Sequence, residues 1–420
     1  MTHRNSTENI DITTLPNGIR VVSETVPYVQ TVALGIWAGT GSRDETNPLR
    51  GISHYIEHML FKGTPRRTAR EIADAIESRG GHLNAFTGKE TTCYEARVLA
   101  EDTPLALDVL CDMFRNSLFD PEEMEREKRV VIEEIKMYED TPEEHVHELF
   151  EQTLWTSHPL GKSIIGTEKT VASFQQEDLR NYMQTNYCPD RILVVAVGNL
   201  AHEDLVRLVE KALGDMEGKA PKRSLKPVRS SGKSKQLRKR DTEQVHFCVG
   251  TTGYSKFQPE RFSLSILNNV LGGNMSSRLF QEIREKRGLA YSIGSYTRAY
   301  LDGGHFCIYG GTSPDTYAQV RELIQIESER VLQEGLTEDE LTKAKTQIRG
   351  ALVLGLEGMS SRMNRYADSL LSFERVIPIE EVLKSYEAVS HESIATVAKN
   401  VLNPEAQTLT AIGSFPRQAG

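Results

Sequence analysis

His54-Tyr55-Ile56-Glu57-His58 carries two imidazoles and one carboxylate within a single short stretch. On an α-helix, residues i and i+4 lie one turn apart and i+3 falls on the same side. Folded as a helix, the stretch would bring His54, Glu57 and His58 to one face. Two neutral imidazoles one turn apart can hold Zn²⁺, and a carboxylate beside them can reach a water on the metal. An amphipathic helix with polar residues on its wet side gives the same pattern, so the rest of the chain must decide.

The chain has 420 residues, a length that suggests two or three domains. A hydrophobic content of 38% is ordinary for a soluble globular protein and supplies more than one core. Cys93, Cys111, Cys188, Cys248 and Cys307 are scattered, with no CxxC pair. That spacing points to a reducing compartment and argues against a disulfide framework or a thiolate zinc site. No stretch approaches the ~18 apolar residues of a membrane span. The longest apolar run, Ile192 to Val197, has the length of a strand. Met1 to Asn9 is polar without an apolar signal region, and a strand-like segment follows almost at once. The expectation is a cytoplasmic protein with no membrane partner.

The net charge of −9 is unevenly spread. Lys219 to Arg240 holds ten Lys/Arg and no Asp/Glu, with Pro221, Pro227, Gly232 and several serines. Such a run reads as a solvated linker. It lacks the interleaved aromatics of a nucleic-acid arm, so no nucleic-acid partner is expected.

Residues 216–240 thus divide the chain into 1–215 and 241–420, and the two halves echo each other. Each begins with an apolar strand ending in glycine, Val32 to Gly39 and His246 to Gly250. A helix with apolar spacing follows, Ile52 to Phe61 and Phe262 to Leu271. A second helix ends at Arg79-Gly80-Gly81 and at Arg287-Gly288. Each half closes on a strand, Ile192 to Gly198 and Thr408 to Gly413. In the second half, Ser265, Asn268 and Asn269 stand near the places of His54, Glu57 and His58, and they are poor zinc ligands. Leu83 to Thr87 and Thr92 to Leu99 read as hairpin neighbours. The fold class expected is α+β, with a mainly antiparallel sheet packed with helices in each half.

A catalytic zinc site uses three protein ligands and leaves a fourth position to water. A helix candidate starts at Asp120-Pro121-Glu122-Glu123, with Asp120 as N-cap and Pro121 first in the helix. Glu127 and Glu134 lie two turns apart beside its apolar stripe of Met124, Val131 and Ile135. Carboxylates at the margin of a buried face need a partner, either a metal or a nearby Arg or Lys. Spacing does not separate Glu134 from Glu133. His145 and His147, two residues apart, share no helical face and are expected to be solvated.

H-x-x-E-H is an established zinc-peptidase motif. Gly51 to Thr64 resembles the zinc helix of the insulinase (pitrilysin) family of metallopeptidases, above all its short bacterial members and the mitochondrial processing peptidase branch. The similarity extends over nearly the whole chain. It implies one Zn²⁺ per chain, with His54 and His58 as ligands and Glu57 as general base. The family's third ligand follows 76 residues after the second histidine, which is Glu134 here. Glu127 matches a supporting catalytic glutamate one heptad earlier. Asn84, Ala85 and Phe86 resemble the edge strand on which the peptide substrate lies. Arg284 to Tyr291 matches the family's substrate motif, in which Arg284 would bind a substrate carbonyl and Tyr291 would donate to the oxyanion.

The resemblance further implies a clamshell homodimer enclosing a chamber, and peptides as substrates. The alternative within the same family is a non-catalytic structural or partner subunit of a heteromeric assembly. Such members lack the zinc residues, which are intact here. The glycine-rich loop of the non-catalytic processing subunit is replaced by the short Gly272-Gly273-Asn274.

Overall fold

The computed structural model describes residues 2–5, 9–228 and 232–415. The strands among them are β1 (Thr2–Asn5), β2 (Ile10–Thr14), β3 (Arg20–Thr25), β4 (Thr31–Ala38), β5 (His82–Thr87), β6 (Thr92–Leu99), β7 (Ile192–Gly198), β8 (Ser234–Lys239), β9 (Val245–Gly253), β10 (Ala290–Ala299), β11 (Gly304–Thr312) and β12 (Thr408–Gly413). They form two sheets, ordered β1-β2-β3-β7-β4-β6-β5 and β10-β11-β9-β12-β8. Both are antiparallel except for one parallel pair each, β3–β7 and β12–β8. The order β3-β7-β4-β6-β5 recurs as β8-β12-β9-β11-β10. The duplication therefore reaches the hydrogen-bonding pattern of the sheets.

Side chains alternate across each strand, so a strand buried throughout needs cover on both faces. In the first sheet, Leu34, Ile36 and Val194 face a core built with the helices α1 (Ile52–Leu60), α2 (Ala69–Glu77) and α3 (Thr103–Asn116). Their neighbours Trp37, Leu193, Val195 and Val197 face Met363, Tyr366 and Leu370 of the helix Met359–Phe373. After α3 come α4 (Pro121–Asp140) and α5 (Pro142–Leu154). Asp120 caps α4 as the sequence leads one to expect, its Oδ1 accepting from the amides of Glu122 at 2.9 Å and Glu123 at 3.1 Å.

In the second sheet, Phe247, Val249, Phe306 and Ile308 face a core shared with the helices Glu260–Leu271, Tyr317–Glu334 and His391–Val401. Cys248, Cys307 and Ile412 face Val146, Leu149 and Phe150 of α5. The compact units are thus interleaved along the chain. One comprises residues 1–135, 162–223 and 353–378, the other 136–161, 224–352 and 379–420. A simple division at 216–240 does not describe this packing, because each sheet takes the cover for its second face from outside its own stretch of sequence.

Two local expectations are revised. The basic run is not a solvated linker throughout, since Ser234–Lys239 forms β8, paired parallel to β12 at the edge of the second sheet. Lys235, Arg238 and Lys239 charge that edge, a common way to keep an edge strand from pairing further. His145 and His147 are not solvated either, because α5 lies on the second sheet. Arg238 Nη1 donates to His145 Nε2 at 2.6 Å, and His147 Nδ1 stands 2.8 Å from the Tyr296 hydroxyl.

Gly51 opens α1 with φ of +89°. A Cβ there would lie 2.6 Å from the Ile165 carbonyl oxygen and 2.8 Å from the Gly166 Cα. Both obstacles are backbone and cannot swing aside. Gly51→Ala should destabilise the fold by about 2 kcal/mol or more, through strain at positive φ together with the clash. Differential scanning calorimetry should record a lower unfolding temperature, and an unchanged one would refute this account of the helix start.

Candidate metal centre

Seven residues of α1 are buried, among them Ile52, Tyr55, Ile56, Met59 and Leu60 in the core. Its first amides, which have no partner within the helix, are taken up by a carboxylate. Gly51 N donates to Glu45 Oε2 at 2.8 Å and Ser53 N to Glu45 Oε1 at 2.9 Å. The Ser53 hydroxyl meets that of Tyr182 at 2.9 Å. The Tyr55 hydroxyl donates to the Met124 carbonyl at 2.6 Å and so ties α1 to α4. With that face fixed, the opposite rim presents His54, Glu57 and His58.

Glu134 Oε2 lies 3.7 Å from Nε2 of both His54 and His58. A tetrahedral zinc with bonds near 2.0–2.1 Å holds its ligand atoms about 3.3–3.4 Å apart, so each of these two distances needs only a slight contraction, and the ligand atoms of all three residues lie within 4.8 Å of one another. Glu133, which spacing alone left as an alternative, is exposed on α4 while Glu134 is half-buried and turned toward the imidazoles.

The electrostatics suit a cation. Burial, helped by the neighbouring His58, pushes His54 down to about 3, so its imidazole is neutral and can offer a lone pair. Its Nδ1 is buried without a hydrogen-bond partner. Burial also pulls on His58, but the hydrogen bond to Glu127 and the charges of Glu127, Glu134 and Glu57 outweigh it and raise His58. His58 Nδ1 donates to Glu127 Oε1 at 2.8 Å, which leaves Nε2 facing Glu134. The other Glu127 oxygen pairs with Lys62 Nζ at 2.6 Å. Burial would raise Glu127, yet these two hydrogen bonds hold it below the usual carboxylate range. Glu127 thus orients His58 and lies outside the trio of ligand atoms.

Glu57 is half-buried beside the same trio. Burial raises its carboxyl, opposed in part by a hydrogen bond from the Thr87 hydroxyl. Thr87 ends β5, the outer strand of its sheet. Along β5, Leu83 and Ala85 pack against the core while Asn84 and Phe86 point to solvent. Phe86 is 40% exposed, so it is not a core aromatic. A pocket beside the strand is lined by His82, Asn84, Glu95, Arg97, Ser360 and Met363.

Arg284 and Tyr291 belong to the second unit and lie together there. The Arg284 guanidinium stands 4.9 Å from the centre of the Tyr291 ring and 4.7 Å from that of Phe280, and Tyr291 is 77% exposed. Three contributors were missed in the sequence. Lys62 was legible, one turn beyond His58. Glu45 and Thr87 act through contacts that only folding creates.

The family model described as Insulinase (Peptidase family M16) matches residues 20–168, and the one described as Peptidase M16 inactive domain matches residues 173–348. The chain belongs to the insulinase family. Among its relatives, the protein named Uncharacterized zinc protease YmxG of Bacillus subtilis is 44% identical over 393 residues, covering 93% of this chain and 95% of that one. An uncharacterized zinc protease of Streptomyces coelicolor is 42% identical over 409 residues, covering 96% and 89%. The crystal structure of a protease from Helicobacter pylori superposes with a TM-score of 0.90 at 21% identity, covering 96% of this chain and 99% of that one. That of a peptidase M16 inactive domain from Pseudomonas fluorescens also gives 0.90, at 18% identity, covering 97% and 98%. These two likenesses carry the fold of the insulinase family, two similar α+β halves. The inactive-domain match falls where Ser265, Asn268 and Asn269 stand on the helix that follows β9.

Glu45 makes the seat of α1 sensitive to pH. Burial lifts its carboxyl from 4.5 to about 7, against the pull of the Ser53 and Gly51 amides. Between those values the native chain keeps a proton that the unfolded chain has released. The associated stability is full below about pH 4.5 and is lost as the pH rises through about 7. Glu45→Gln should remove this dependence. The melting temperature of the parent relative to the variant should fall from pH 5 to pH 8, and parallel profiles would exclude it.

Proposed function

We propose that this chain is a zinc endopeptidase acting on unfolded peptides. The observation that carries the reading is the convergence of His54, His58 and Glu134 beside a half-buried carboxylate, Glu57, that is not spent as a ligand. The three converging side chains would hold the metal. Zinc, when bound there, supplies Lewis acidity toward the scissile carbonyl and lowers the pKa of a nearby water. Glu57 takes the proton of the attacking water and passes it to the leaving amine, a task that its raised pKa suits. Glu127 holds His58 in the tautomer that leaves Nε2 free, and Lys62 keeps Glu127 charged.

Substrate would add to the outer edge of β5, where Asn84, Ala85 and Phe86 offer backbone groups and one exposed ring. Recognition through backbone requires an extended, unfolded chain. We assign Arg284 and Tyr291 to substrate carbonyl and oxyanion in a homodimer, each pair serving the zinc half of the partner chain. The stacked, exposed arrangement of this pair supports a role outside its own core. A cytoplasmic location accords with five buried, unpaired cysteines and with the absence, among the described residues, of any helix long and apolar enough to cross a membrane.

Purified protein should carry about one zinc per chain at this site, lose peptidase activity to a chelator and regain it with zinc. Glu57→Gln should retain the metal while kcat falls about 10²–10⁴-fold. Glu134→Gln should lose zinc where Glu133→Gln keeps it. Elemental analysis beside peptide cleavage reads both, and zinc loss from Glu133→Gln alone would displace Glu134 from the ligand set.

The shared site is tested by mixing. Glu57→Gln and Tyr291→Phe chains should each be nearly inactive. Their heterodimer should recover up to about half of the parental rate, because one of its two sites has both wild-type groups. Absence of recovery in heterodimers proven by native mass spectrometry would place both groups in one chain.

A further inference from the structure

A second cluster of metal-binding side chains lies in the other compact unit, and it does not depend on the peptidase reading. Cys248 is on β9 and Cys307 on the neighbouring β11. In the antiparallel register Cys248 stands opposite Tyr309 and Cys307 opposite Gly250, so the two thiols are diagonal neighbours on one face of the sheet. α5 crosses that face and delivers His147 to them. His147 Nδ1 lies 3.4 Å from Cys248 Sγ, and the ligand atoms of all three residues lie within 4.8 Å of one another.

The 3.4 Å between His147 and Cys248 is close to the spacing that zinc imposes, and the 4.8 Å bound puts the third side chain within a short movement of it. With Zn–S near 2.3 Å and Zn–N near 2.0–2.1 Å, tetrahedral geometry spaces ligand atoms about 3.5–3.8 Å apart. We propose that Cys248, Cys307 and His147 form a structural zinc site, with the Tyr296 hydroxyl, 2.8 Å from His147 Nδ1, beside the fourth position.

Charge balance supports the site. Each thiol gives one proton to solvent on binding, and the imidazole binds neutral. Two thiolates and one Zn²⁺ sum to zero, so no net charge enters a region lined by Val146, Phe150 and Ile412. Both cysteines are fully buried, whereas His147 is half-buried and borders a small pocket shared with His246, Tyr309 and Gly310. That side offers the ion an entry. Once bound, the ion would fasten α5 to the face of the sheet that α5 covers. The competing role for two buried thiols is plain apolar packing.

Cobalt distinguishes the two roles, because His54, His58 and Glu134 contain no sulfur. The reduced, chelator-stripped full chain is titrated with Co²⁺. We expect thiolate-to-cobalt charge-transfer absorption in the near ultraviolet, bleached by added Zn²⁺. Cys248→Ser and Cys307→Ser should each abolish the band and His147→Ala should weaken it, while His54→Ala and Cys111→Ser leave it intact. Circular dichroism establishes that each variant is folded. A folded parent chain without the band, or a band that survives both serine variants, overturns the proposal in favour of packing. Should the serine variants fail to fold, zinc-edge X-ray absorption on the zinc-loaded His58→Ala chain decides. Sulfur scatterers at about 2.3 Å support the site, and a shell of only nitrogen and oxygen overturns it.

Discussion

A nine-residue helix does not hold its shape alone in water, and the candidate centre rests on one. Everything that makes the centre precise is therefore supplied to α1 from outside. Glu45 satisfies its first amides, Gly51 turns the chain into it where no side chain fits, and the Tyr55 hydroxyl bolts it to α4. The apolar side is buried against the first sheet, so the helix can neither rotate nor slide without exposing Ile56 or Met59. Two imidazoles one turn apart gain their fixed spacing from these restraints. Glu134, the third member of the converging trio, inherits its position through the same Tyr55 link, because α4 carries it.

Three carboxylates surround the two histidines, and their environments separate their roles. Glu127 is compensated on both oxygens, by His58 and Lys62, and stays ionised. Glu134 lies 3.7 Å from each imidazole, and burial raises it against the pull of His58. Glu57 is raised as well, with the Thr87 hydroxyl on one oxygen. The differences arise from position along two helices and one strand end, with identical chemistry at each carboxyl group. Thr87 also couples the general-base candidate to the outermost strand, so the edge that would hold a peptide and the group that would take the proton of the attacking water are linked by one hydrogen bond.

The duplicated halves share five strands in the same order, yet their surfaces have diverged. The helix after β4 bears His54, Glu57 and His58, and the helix after β9 bears Ser265, Asn268 and Asn269. Ser and Asn at these places leave the second fold intact, because the apolar side of its helix, including Leu264, Leu267 and Leu271, packs on its sheet. The apolar face that maintains the fold and the polar rim that carries the candidate site are separate faces of one helix.

Local periodicity determined a good deal. The helical spacing around His54 and His58, the Asp120-Pro121 start of α4, the β5–β6 hairpin and the buried strands β7 and β12 were all legible, because each is encoded in consecutive residues. The likeness of the halves was legible for the same reason, and so was the family. β8 was hidden, since Leu237 is its only large apolar residue and its other side chains suit a linker equally well. The choice between Glu133 and Glu134 needed the packing of α4 on α1, which sets the rotation of both residues. Glu45, Thr87, and the meeting of Cys248, Cys307 and His147 depended on strands and helices far apart in the chain. The exchange of covering helices between the sheets was decided in the same way. Sequence spacing carries information about neighbours along an element, and only tertiary packing brings together groups whose elements are joined by long stretches of chain.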